Sequence, residues 1–318
     1  MKNQTKITEI LLLGFTENRK LEIFLFVLFL IMYLIAVTGN LLIIFLTLVD
    51  SHLRTPMYFF LQNYAILEIG YTTAVIPTTM INLATGRKQI SLVGCVSQTF
   101  VYFFLGTTDF FLLTVMSFDR YMAICHPLRY TTIMNDRFCA LLVLSSWAGG
   151  FFLVFGQIIY TTQLPCCGPN VIDHFFCDSR PLHQLHCGDK RQWLLELIGL
   201  LSAVFSLLGT LAVTTVSYVR IIDTVLHIPT AAGRQKAFST CAAHVTVVTI
   251  TYGTCISMYV TPVEGGGHNF NKVVAVLNNF LCPLMTPFVY SLRNQQVQNA
   301  LKGALDCKMF SYKMKSVP

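Results

Sequence analysis

Charge is what this chain lacks. Of its 318 residues only 12% are Asp, Glu, Lys or Arg, where a soluble domain carries about 25%. With 54% of residues apolar and 25 of them Phe, too little polar surface remains to coat a globule in water. That excludes a water-soluble domain, including a nucleic-acid-binding one, and leaves an integral membrane protein. Signatures of enzymatic chemistry are missing too: the sequence has no HExxH, no GxSxG and no P-loop. No catalytic residue is therefore expected. No internal repeat is visible either, which weakens a transporter, since many transporters are built from repeats.

Long apolar runs are abundant. A spanning helix needs about 20 mostly apolar residues, and seven stretches qualify: 23–48, 57–83, 95–124, 138–161, 193–226, 236–261 and 272–292. Turn-forming and charged segments such as "DSHLRTP", "TGRKQ" and "PVEGGGHN" separate them. The expected fold is an all-α membrane protein, a seven-transmembrane helix bundle. It would comprise an N-terminal segment 1–22, the bundle 23–292 with a long loop at 162–192, and a tail at 293–318. Without a cleavable signal pattern, the first helix would serve as a signal-anchor.

Orientation has weaker support in charge than in cysteine placement. Of the 22 Lys and Arg, 12 fall on the face of the C-terminal tail and 10 on the other, a small bias in the direction of the positive-inside rule. Four of the 11 Cys (Cys166, Cys167, Cys177, Cys187) crowd the long loop, and Cys95 opens the third span on the same side. Such a cluster belongs in an oxidising compartment. The N-terminus would then lie outside, where Asn3-Gln4-Thr5 forms a glycosylation sequon. The loop's His174, His183 and His186 add metal-ligand chemistry, but their spacing matches no closed zinc site and no metal is expected. After the seventh span, "RNQQVQNALKGALDCK" is amphipathic and reads as a short interfacial eighth helix. Cys307 there suits palmitoylation, and the basic tail suits anionic membrane lipids.

Five segments stand in order at span ends: "LRTPMYFFL", "MSFDRYMAICHPLRY", "SYVRIIDTV", "KAFSTCAAHV" and "PLMTPFVYSLRN". Together they resemble the vertebrate odorant receptors, and the loop "LPCCGPNVIDHFFCD" is similar to that of the tetrapod-type branch of this rhodopsin-like family. The resemblance covers nearly the whole chain. It implies odorant detection at the plasma membrane, in the cilia of olfactory neurons. It also implies coupling to the olfactory stimulatory G protein, a heterotrimer that raises cyclic AMP. By the same resemblance the disulfides would be Cys95–Cys177 and Cys167–Cys187, with Cys166 left over, and Asn3 would be glycosylated.

Arg120 ends the third apolar run, where a helix leaving the bilayer commonly places a cation among the headgroups. The resemblance implies more: Asp119, Arg120 and Tyr121 belong to an activation switch that also involves Tyr218, Tyr252, Pro287 and Tyr290. A half-buried guanidinium needs a partner. Asp119 is the obvious one, since Arg234 and Lys236 at the start of the sixth span bring no acid. Two carboxylates lie inside the membrane, Glu68 and Asp109. At about 1.5 Å per residue both fall at mid-depth, where an acid costs on the order of 3 kcal/mol unless partnered. Facing each other, they would hold a cation, sodium for instance, or share a proton, with Asn40 completing the cluster. No other cofactor is expected. The family's usual order, Asp on the second span and Glu on the third, is reversed here. Its "NPxxY" reads "TPFVY", with Thr286 in place of Asn, and its "FYG" reads "TYG" at 251–253.

A pocket for an odorant should be apolar and enclosed, with few polar groups. Spacings of three and four place Tyr102, Phe103, Gly106 and Thr107 on one face of the third span, and Ser202, Ala203 and Ser206 on one face of the fifth. Cys255, Ile256 and Tyr259 would join from the sixth span, and Val276 and Asn279 from the seventh. A receptor for amines would want an acid where Tyr102 stands, so a small neutral ligand is expected. The alternatives are a receptor of this architecture for a lipid or peptide and, more remotely, a transporter.

Overall fold

In the computed structural model, residues 8–164, 170–183, 190–260, 267–292, 297–299 and 301 are described. Seven long helices form the bundle. The first four spans are Arg19–Val49, Pro56–Thr85, Leu92–Cys125 and Asp136–Thr162. The fifth runs Lys190–Val204, passes through a π turn at Phe205–Gly209 and continues over Thr210–Leu226. The sixth is Ala231–Val260; the seventh is Gly267–Val276, a second π turn at Leu277–Leu281 and then Cys282–Leu292. Six of these are long and apolar enough to cross a membrane on composition alone. The second, Pro56–Thr85, is 30 residues long but less apolar. It lies between neighbours, and its buried residues include Tyr64, Glu68, Thr72 and Thr79.

Local chemistry sets the helix ends. The Asn18 side chain accepts from Lys20 N, Ser91 from Gly94 N, and Asn135 from Phe138 N. Each satisfies a backbone donor that the first turn leaves without a partner. Pro56 starts the second span, and Gly86, at φ 71°, ends it in the left-handed conformation. Burial of the first span is confined to a stripe, Glu22, Phe29, Ala36, Asn40, Ile43, Leu46 and Thr47, as expected of a helix whose other face meets lipid. Where this stripe meets the seventh span there is no spare room. A Cβ on Gly39 would stand 2.7 Å from two carbons of Pro287.

One part of the fold is not helical. β1 (Glu9–Leu12) pairs antiparallel with β2 (Gln89–Ser91), with Glu9 opposite Ser91, and parallel with β3 (Val171–Ile172), with Leu11 opposite Val171. The N-terminal strand is therefore the centre of a three-stranded sheet joining two loops of the same face. Its inward side chains, Ile10 and Leu12, are 0% and 1% exposed and pack on Ile172, Leu182 and the Cys95–Cys177 disulfide. This roof adds a small sheet, unforeseen in the sequence, at one end of the expected all-α bundle. Short loops and a chain end brought side by side satisfy their backbone groups by pairing.

Candidate functional site

Beneath the roof lies a cavity of about 760 Å³ among the spans. The third span supplies Tyr102, Phe103, Gly106 and Thr107 to its wall, the fifth Ser202, Ala203 and Ser206, and the sixth Cys255. The other expected pocket residues are placed elsewhere. Ile256 and Val276 pack against the main apolar core, and Asn279, 0% exposed, turns its amide onto the Ala275 carbonyl at 2.7 Å. These three are not among the described residues that line the cavity, since helical spacing fixes a shared face without saying which face the cavity meets. The side chain of Tyr259 lies outside the described residues.

Sequence reasoning missed the fourth span's contribution of Leu153, Val154, Gln157 and Ile158, and the loop's Asp173, His174 and Asp178. Gln157, an amide within an apolar run, was the available signal for the former. The roof is held by named bonds. Thr99 donates to the Cys177 carbonyl at 2.8 Å, and the Cys177 N–H donates to Gln98 at 3.0 Å. From the seventh span, Lys272 Nζ reaches Asp173 at 2.6 Å and the Gly14 carbonyl at 3.0 Å, tying loop, N-terminal segment and bundle together. Cys167, Cys187, Cys166, Asn3 and Cys307 lie outside the described residues, as does most of the tail.

Glu68 and Asp109 also line the cavity, at its floor. They are near enough to repel one another, and the Tyr64 phenol interacts with both. Thr286 donates to Glu68 at 3.4 Å, so the hydroxyl that replaces an amide still reaches the acid. Asp109 Oδ1 is buried and receives no hydrogen bond. The Asn40 amide nitrogen donates to the Ala36 carbonyl at 2.9 Å and to the Pro283 carbonyl at 3.1 Å, bridging the first and seventh spans, while its buried Oδ1 receives no hydrogen bond.

The opposite face holds Arg120. Asp119 accepts from its guanidinium and, at 2.7 Å, from the Tyr130 hydroxyl. Tyr130 stands outside the span on the short helix Pro127–Ile133. Burial and the adjacent Asp119 push its phenol above the usual range, which keeps it a donor. Tyr121 hydrogen-bonds His126 at 2.9 Å, Tyr252 donates to Thr210 at 2.8 Å, and Arg234 turns to the Ile228 carbonyl at 3.2 Å. Tyr218 bonds the Nδ1 of His244, a buried residue of the sixth span whose polarity within an apolar helix was the signal for its role. Pro287 sits in the seventh span against Gly39, and the side chain of Tyr290 lies outside the described residues.

A family model described as "Olfactory receptor" matches residues 29–308. Mouse Olfactory receptor 6E1 is 52% identical over 303 residues, 95% of this chain and 96% of that protein. Human Olfactory receptor 6C3 is 49% identical over 308 residues, 97% and 98% of the two chains. Among solved structures, squid rhodopsin superposes with a TM-score of 0.68 at 15% identity, covering 92% of this chain and 87% of that one. At that identity the likeness speaks for the fold alone.

Proposed function

Since the chain belongs to the olfactory receptor family, a multi-pass plasma-membrane receptor class and not an enzyme class, we propose that it binds a small neutral volatile in the roofed cavity. Binding there would release Arg120 on the opposite face, so that a heterotrimeric stimulatory G protein of the olfactory type engages and cyclic AMP rises. The observation that carries this reading is the pairing of a largely apolar cavity under the disulfide face with a buried Asp119–Arg120 pair at the other end of the third span. A disulfide persists in an oxidising compartment, which supports a reading with the roof outside and Arg120 on the cytosolic side. The strands and the Lys272–Asp173 bond cover the cavity, so a small ligand fits better than a peptide.

The acid pair suits a hard cation. Its ligating atoms are oxygens, one of them without a hydrogen-bond donor, and the described residues lining the cavity include no Lys or Arg. Sodium held by Glu68 and Asp109 would supply the missing counter-charge. The test of the whole reading is cyclic AMP in cells expressing the chain, across a chemically broad odorant panel with surface expression confirmed. A response to one or more small volatiles is expected, and silence throughout counts against it.

A further inference from the structure

The cavity is not closed on every side. Apolar residues deep in its wall are well buried: Leu67, Tyr102 and Val154 are 1%, 5% and 7% exposed. From the loop, Leu182 lines it at 2% exposure and packs with Ile10 and Leu12 of the N-terminal strand. Among the described residues, two apolar members of the wall break this pattern. Val171 is 38% exposed but is held in the roof sheet opposite Leu11. Leu200 of the fifth span is 56% exposed, and beside it on the same helix Leu201 and Val204 are 59% and 43% exposed. At Leu200, therefore, the cavity wall runs out onto the lipid-facing surface of the bundle.

The facing element is the fourth span, which contributes Gln157, Ile158 and Thr161 to the wall. It meets the fifth at a residue with no side chain. Among the described residues, a Cβ on Gly199 would have only Gln157 Oε1 within 4 Å, at 3.7 Å, an ordinary contact that leaves space beyond it. The Gln157 amide nitrogen donates back along its own helix, to the Leu153 carbonyl at 3.0 Å, and not across the cleft.

We infer, on the reading that the cavity binds a small neutral volatile, that this cleft is its entrance. The ligand would come from the bilayer, in the leaflet on the roof side, and pass between the fourth and fifth spans, with Gly199 and Gln157 setting the width. The chemistry of such a guest favours this route. A six-carbon chain is enriched in the bilayer core on the order of a thousandfold over water. Passage through the described part of the roof, by contrast, would part the three-stranded sheet or the Lys272–Asp173 bond.

The test needs no identified odorant. Full-length receptor in phospholipid vesicles carries a reporter thiol, Thr107→Cys on the third span, beside the native Cys255 on the sixth; both positions line the cavity. The probes are methyl methanethiosulfonate, neutral and soluble in the bilayer, and its trimethylammonium-ethyl analogue, whose fixed charge keeps it in water. Labelling is read by peptide mass, and each rate is taken relative to that of a free thiol in solution. The neutral probe should label the cavity roughly tenfold faster than the charged one. Gly199→Phe, which fills the cleft, should slow the neutral probe about tenfold in a chain that keeps its unfolding midpoint. Lys272→Met, which loosens the roof, should leave that rate unchanged. An undiminished rate in Gly199→Phe, a faster one in Lys272→Met, or no cavity labelling at all overturns the inference. Should Gly199→Phe fail to accumulate, Gly199→Leu takes its place, and equal labelling by both probes on the unsubstituted chain overturns the inference whatever the variants do. Labelling through the cleft with no cyclic AMP from any odorant would spare the inference and count against the signalling role. Labelling through the roof would do the reverse.

Discussion

At Arg120 a fixed positive charge sits almost wholly inside protein, with 11% of its side chain exposed. Asp119 is the reason that is tolerable, and Tyr130 holds Asp119 in turn. Removing one partner of a buried pair costs on the order of 3 kcal/mol, because the other is left unpaired. Asp119→Ala should therefore both lower thermal stability and raise basal cyclic AMP by freeing Arg120. Arg120→Ala should abolish signalling while ligand-induced stabilisation persists, and retained signalling would remove Arg120 from the switch. Glu68→Gln takes away one of the two floor charges and should blunt the dependence of the response on sodium. An unchanged dependence would favour a shared proton between the acids.

Among the elements, the contact between the first and seventh spans and the roof are two joints where a single substitution should be felt. Gly39→Leu forces a side chain onto Pro287, where even a Cβ has only 2.7 Å. A loss of about 1–3 kcal/mol is expected, read as a lower unfolding midpoint. Cys177→Ser removes the tie between loop and third span, and a loss of roughly 2–5 kcal/mol with reduced surface expression should follow. How legible these elements were differs sharply. All seven spans were readable, six as strongly apolar runs of membrane length and the less apolar second by its length between turn-forming segments; Leu92–Cys125 extends the expected third span by only a few residues. The roof was not. Glu9–Leu12 is a four-residue strand with no periodic signal, and it exists through backbone pairing with loops distant in sequence. Cavity residues of the third and fifth spans were found by helical spacing. Those of the fourth were missed, since in an all-apolar helix the lipid face and the cavity face look alike.

For the molecule as a whole, the two ends of the third span carry the argument. Near its start, Cys95 is bonded to the loop above the cavity; near its other end, Asp119 and Arg120 pair on the opposite face of the bundle, and Asp109 lines the cavity between them. One helix thus touches the roof, the cavity wall and the Asp119–Arg120 pair, and under the proposed function this would give a bound ligand a physical route to the G-protein face. A ligand shifts that equilibrium only by as much as it prefers the open arrangement, so the account stands on there being such a ligand. The most direct measurement is cyclic AMP in cells displaying this chain at the surface, across a chemically broad panel of small volatiles and with Arg120→Ala in parallel. A volatile-dependent rise that vanishes in Arg120→Ala is the predicted result. Silence across the panel at confirmed surface expression, or an equal rise in the variant, would contradict it.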